Sequence, residues 1–160
     1  MPTSDHAAAW RDLDRFTAAF TKAKVEFEET RPPLQAAIVR HLMERNARPG
    51  DIADHSPYDR NHVGLLGREH GVPPLKGRNA TGPAPVYKPE TEAAALAELD
   101  GLTAAYTRAE DNWKKKRDAL HAAISRHYDA GAPPGELAAH TPYDRNHVHR
   151  IAKAAREGAR

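Results

Sequence analysis

The sequence predicts an all-α chain of two similar helical modules, each a long amphipathic helix followed by a three-helix unit. Three observations lead there. Of 160 residues only 39% are hydrophobic and 6% aromatic, with a mean hydropathy of −0.77. That is too polar for buried parallel strands and favours a core built from helix faces. Apolar residues recur at steps of three and four. The chain also repeats itself: 34-LQAAIVRH-41 returns as 120-LHAAISRH-127, 55-HSPYDRNHV-63 as 140-HTPYDRNHV-148, and 12-DLDRFTAAFTKA-23 lies against 98-ELDGLTAAYTRA-109. The offset is 86 residues, falling to 85 after a one-residue deletion near Ala132. The expected boundaries are 5–72 for the first module, 73–90 for a Pro/Gly-rich linker and 91–158 for the second module.

The first element of each copy is a long helix. Its stripe is Trp10, Leu13, Phe16, Phe20, Ala23 and Phe27 in copy 1, and Leu96, Leu99, Leu102, Tyr106, Ala109 and Trp113 in copy 2. These stripes are expected to form core, with pairing of Trp10, Phe20 and Phe27 against Leu99, Tyr106 and Trp113 as one option. Pro32 and Pro33 should break copy 1 near Thr30, because the residue before a proline avoids the α region. Asp118 and Ala119 stand there in copy 2, so its helix can run on. The second helix carries Leu34, Ile38 and Leu42, or Leu120, Ile124 and Tyr128, and is expected to end at Pro49-Gly50 or Pro133-Pro134-Gly135.

A short helix follows, 51-DIADH-55 or 136-ELAAH-140, and then Ser56-Pro57-Tyr58-Asp59 or Thr141-Pro142-Tyr143-Asp144. Ser or Thr as N-cap, Pro at N1 and Asp at N3 predict new helices beginning at Pro57 and Pro142. In copy 1 Gly71 should end this helix in a left-handed conformation.

Two short helices joined by a tight turn resemble the helix-turn-helix of bacterial DNA-binding proteins, of the kind found in resolvases and in the promoter-reading region of sigma factors. That motif places a small residue on the first helix and a branched apolar residue ten positions later. Ala53 with Val63, and Ala138 with Val148, fit it, and Leu66 and Ile151 supply the next inward turn. Pro57 and Pro142 depart from the family, which often has Gly there. The resemblance covers about 40 residues per copy and does not reach the long helices. It implies that the chain is a transcriptional regulator reading two related subsites of double-stranded DNA, about 10 to 10.5 bp apart if the copies pack rigidly.

PYDRNHV is the longest block identical between the copies. Packing accounts for Val63 and Tyr58 and capping for Pro57 and Asp59, but neither accounts for Arg60 and Asn61 on a solvent face. Arginine pairs bidentately with guanine and asparagine with adenine, each discriminating by about 1–3 kcal/mol. The expected DNA-binding residues are Arg60, Asn61, His62 and Arg68 in copy 1, and Arg145, Asn146, His147, His149, Arg150 and Lys153 in copy 2. His62 and His147 project to the edge of the inward face, suited to packing or a phosphate. From 142 to 156, four cations (Arg145, Arg150, Lys153, Arg156) face Asp144 alone, whereas Arg60 and Arg68 are cancelled by Asp59 and Glu69. Copy 2 is thus expected to hold phosphates better, and Gly64 and Gly67 weaken the helix of copy 1 by about 1 kcal/mol each.

Other classes are disfavoured. There is no cysteine, hence no disulfide, thiol nucleophile or Cys-ligated zinc. Ten histidines are present, but His147 and His149 face different ways on a helix and no HExxH pattern accompanies them. His41 and His127 read as helix-surface residues. Neither a nucleophile–base pair nor a Gly-rich phosphate loop is found, so no enzymatic activity, cofactor, metal or small-molecule ligand is expected. No apolar run spans a bilayer and no secretory h-region opens the chain, so a cytoplasmic, nucleoid-associated protein is expected. Lys114 to Arg117 reads as a solvated helix face, Lys76-Gly77-Arg78 as a tether or a minor-groove arm, and Asn79-Ala80-Thr81 as a chance glycosylation sequon. Two rival functions remain: an architectural protein that bridges DNA with little base preference, or an interaction module that binds the transcription machinery or a second copy through its long helices.

Overall fold

The computed structural model describes residues 4–75, 80 and 82–159, and all regular structure among them is α-helical. The helices are α1 (Ser4–Glu28), α2 (Arg31–Met43), α3 (Pro49–Asp54), α4 (Arg60–Glu69), α5 (Pro89–Asp129), α6 (Pro134–Ala139) and α7 (Arg145–Gly158). No described helix is long and apolar enough to cross a membrane.

The sequence places the breaks at Thr30 and Gly71 and the continuity of α5 correctly. α1 stops at Glu28, where Thr30 turns back to the Phe27 carbonyl through its amide (3.1 Å) and hydroxyl (2.6 Å), and Pro32 and Pro33 lie in the first turn of α2. Without prolines at this point, α5 runs unbroken for 41 residues. Gly71, at φ +76°, ends α4 as expected. Two boundaries move. Pro49-Gly50 and Pro134-Gly135 begin the short helices α3 and α6 instead of ending the helices before them, since proline fits the first turn, where its missing N–H costs nothing. The reversal before them falls on left-handed residues, Arg45 at φ 57° and Gly131 at φ 93°.

The second correction concerns α4 and α7, which start at Arg60 and Arg145 and not at Pro57 and Pro142. Asp59 and Asp144 are the N-caps, each carboxylate accepting the amide of the third residue on, His62 or His147, at 2.7 Å. Ser56 and Thr141 are used earlier: their hydroxyls accept the Tyr58 and Tyr143 amides within the turn. With Asp59 and Asp144 as caps, a carboxylate stands at the positive end of each helix dipole, where negative charge is favoured.

The chain divides into two compact units, one of Met1–Glu26 with Glu110–Arg160 and the other of Phe27–Ala109. They cut across the segments 5–72 and 91–158. In the Phe27–Ala109 unit, Leu34, Ile38, Ile52, Val63 and Leu66 from α2–α4 share a core with Ala95 and Leu99 of α5. Thr103 donates to the His55 carbonyl at 3.0 Å, Glu98 pairs with Arg40, and the rings of Phe27 and Tyr106 lie 4.9 Å apart. In the other unit, Leu120, Ile124, Leu137, Val148 and Ile151 share a core with Leu13 and Phe20 of α1. Here Thr17 donates to the His140 carbonyl at 3.0 Å, Asp12 accepts from Arg126 (3.0 Å) and meets His127 (2.8 Å), and Phe20 lies 6.3 Å from Trp113.

Each set of contacts thus repeats the other with the copies exchanged: α1 covers α5–α7, and the start of α5 covers α2–α4. Amphipathic periodicity fixes which face of a helix is apolar and leaves its partner open. The continuity of α5 decides the matter for copy 2, because an unbroken helix cannot fold back to cover its own far end. The ring pairs Phe20–Trp113 and Phe27–Tyr106 realise part of the expected pairing, while Trp10 stacks on His140 at 4.9 Å and 2°.

Candidate nucleic-acid interface

Capping by Asp59 puts Arg60 and Asn61 at the first two positions of α4, and capping by Asp144 does the same for Arg145 and Asn146 on α7. All four are exposed. Val63, Leu66 and Val148, Ile151 are buried beneath them, so the inward stripe fixes the roll of each helix and turns these first residues outward. Ala53 is buried in the same core as Val63, and Ala138 is packed against the core that holds Val148.

The histidines divide. His62 and His147 pack their rings on Tyr58 and Tyr143, each at 4.4 Å between centroids, which serves the turn. His149 is half-buried with Nδ1 2.9 Å from the Tyr128 hydroxyl, so it faces back toward α5. Arg68, Arg150 and Lys153 remain exposed, Lys153 within 3.9 Å of Glu157. Arg156 is tied to Asp129 at 2.8 Å and lies over the Tyr128 ring. Among the described residues, the cations that α7 leaves free of close acidic partners are therefore Arg145 and Arg150, fewer than its sequence suggests.

His41 and His127 are corrected: His41 is 5% exposed and His127 half-buried. Each lies under the long helix of the other copy, beside Glu98 or Asp12. Burial lowers the His41 pKa below the usual 6.5, against the pull of Glu98. His127 and the arginines beside it lower the Asp12 carboxyl below the usual 3.8. His121, whose Nε2 lies 2.9 Å from the Tyr143 hydroxyl, is lowered by burial and then by Arg117 and His147. Burial likewise raises Tyr143.

Among the described residues no three His, Asp or Glu side chains gather in a way that could hold a metal ion. His55 and His140 instead meet Asp100 (2.7 Å) and Asp14 (2.8 Å). Lys114 pairs with Glu110 at 2.8 Å, and Arg117 lies over Trp113. Lys76-Gly77-Arg78, Asn79 and Thr81 lie outside the described residues.

Sequence reasoning passed over Arg45 and Arg48. Arg45 holds a left-handed backbone that is costly for any residue with a Cβ, and donates to the Pro73 carbonyl at 2.7 Å. Its non-glycine side chain where copy 2 has Gly131 is the one signal the sequence offered. Arg48 bonds Glu92 at 3.0 Å and lies over the Tyr87 ring. No protein-family model, curated protein or solved structure matches the chain.

Proposed function

We propose that the chain is a sequence-specific double-stranded DNA-binding protein, a transcriptional regulator in which two equivalent helix-turn-helix modules, α2–α4 and the end of α5 with α6 and α7, are each completed by the long helix of the other copy. α4 and α7 are the recognition helices, and each module reads one of two related subsites. The observation that carries this reading is the presentation of Arg-Asn at the first two positions of both helices, exposed and outside any ion pair among the described residues. Residues at the N-terminal end of a recognition helix are those that reach base edges in the major groove. Arg60 and Arg145 suit guanine, Asn61 and Asn146 suit adenine. Arg68, Arg150 and Lys153 add phosphate contacts, while His62, His147 and His149 support the helices from their inner edge.

The test is selection of bound duplexes from a random pool at physiological salt, with Arg60→Ala/Asn61→Ala and Arg145→Ala/Asn146→Ala beside the parent. The expected result is a bipartite motif of which each double variant relaxes one half. Steeply salt-dependent binding without a motif would make the chain architectural, and absence of binding would make it a protein-interaction module.

A further inference from the structure

In the Phe27–Ala109 unit, α4 forms one wall of a cleft of about 690 Å³, closed on the other side by the chain that leaves α4 and the chain that enters α5. Leu42, Val63, Val72 and Leu75 give it an apolar lining, and Arg45, Arg48, Arg60 and Arg68 stand around it. Volume and lining are those of small-molecule sites, which combine apolar walls with a few convergent polar groups.

Four features set the cleft apart from a packing defect. Its room comes from Gly64 on α4, where copy 2 carries His149, while Gly67 beside it lets Leu42 and Val72 pack close, at 3.3 and 3.6 Å from where its Cβ would stand. A Cβ on Gly64 would meet nothing closer than Arg68 Nη1 at 3.4 Å. Arg45 keeps its left-handed backbone while its guanidinium fixes the Pro73 carbonyl in the cleft wall, and backbone strain that persists beside a cavity points to use. Tyr87 lines the cleft with its hydroxyl oxygen buried and without a hydrogen-bond partner among the described residues, a state that native structures rarely tolerate. The charges are also unbalanced: Arg48 is answered by Glu92, but neither Arg60 nor Arg68 has an ion-pair partner among the described residues.

We propose that this cleft binds a small amphipathic anion, an aromatic or medium-chain aliphatic carboxylate, and that its occupancy takes Arg60 and Arg68 away from DNA. The apolar body lies among Val63, Val72 and Leu75. The carboxylate is held by Arg60 and Arg68, in the charge-assisted geometry that guanidinium favours, and Tyr87 gains the acceptor it lacks. The second half of the proposal rests on the DNA-binding reading; the first does not.

The experiment is calorimetric titration of the full chain with 2-naphthoate and octanoate, beside the uncharged 2-naphthol and 1-octanol. The variants are Arg68→Gln, which removes a cation, and Gly64→His, which puts the residue of copy 2 into the cleft; circular dichroism checks that both fold. Saturable binding of either carboxylate is expected, at least tenfold weaker for its uncharged analogue and for Arg68→Gln, and lost in folded Gly64→His. Absence of binding to the parent, equal affinity for charged and uncharged probes, or undiminished binding by Gly64→His overturns the site. DNA selection repeated with a saturating carboxylate should lose the half of the motif that Arg60→Ala relaxes, and an unchanged motif overturns the regulatory half. A parent that binds carboxylate but no DNA leaves the cleft standing and removes only the DNA reading.

Discussion

Asp14 Oδ1 lies 2.8 Å from Nδ1 of His140, a residue 126 positions away and in the other sequence copy. Asp100 meets His55 in the same way at 2.7 Å, across 45 positions. The threonine three residues after each aspartate, Thr17 or Thr103, donates to the carbonyl of the same histidine. Exposed pairs of this kind add about 0–1 kcal/mol; their value here is as markers of which helix belongs to which unit.

The exchange of long helices predicts where a core truncation is felt. Leu13 and Leu99 are fully buried, and Leu→Ala at such sites costs about 2–5 kcal/mol. Leu13→Ala should speed amide exchange in α6 and α7 and leave α3 and α4 protected, and Leu99→Ala should do the reverse. Loosening of α3 and α4 by Leu13→Ala would show that each copy folds on itself.

The caps give a second expectation. Asp59→Ala and Asp144→Ala should each lower stability in urea by about 0.5–2 kcal/mol, whereas Ser56→Ala, which touches only the turn, should cost less. If Ser56→Ala proved the more damaging, the helices would begin nearer Pro57.

The pH dependence follows from burial of His121 and His41, both held below the usual 6.5. On acidification the unfolded chain takes up these protons first, so stability falls as pH drops through about 6.5 and levels off below the folded-state pKa. His121→Gln should flatten this decline, since Gln35 at the matching position reaches Tyr58 in the same manner. Asp12 acts in a lower window: its lowered pKa adds stability above the usual 3.8 that is lost as pH falls further. Melting temperatures from about pH 7.5 to about pH 3 separate the two effects; an unchanged slope near pH 6 in the Gln variant would count against the buried His121.

Arg45 offers a backbone test. Glycine accepts φ 57° freely and alanine does not, so Arg45→Gly should be more stable than Arg45→Ala by about 1 kcal/mol. Equal stability in the two variants would mean that the residue is not held in the left-handed region.

Much of this is legible in the sequence itself. The breaks at Thr30 and Gly71 and the unbroken run through Asp118 follow from proline, glycine and their absence. Spacing alone turns Val63 and Val148 inward, where both are buried. The starts of α4 and α7 are not legible in the same way, because Ser56 and Asp59, like Thr141 and Asp144, both carry cap chemistry and only the turn decides which of them caps the helix. The cover over His41 and His127 was hidden for a different reason: Leu13 and Leu99 are the same residue in equivalent stripes, and local patterning cannot tell which groove each fills.

That likeness has a consequence for how the chain is made. During synthesis α1 emerges first, but its groove is not complete until α7 has left the ribosome, whereas Phe27–Ala109 is complete far earlier. For that interval the stripe of Leu13 and Phe20 has no native partner, while the groove on α2–α4 that takes Leu99 is lined by Leu34, Ile38 and Val63, the counterparts of the Leu120, Ile124 and Val148 that α1 will cover. The nascent chain must therefore either keep α1 in waiting or evict it when α5 arrives, and refolding should show a slow phase that Leu13→Ala shortens and Leu99→Ala lengthens.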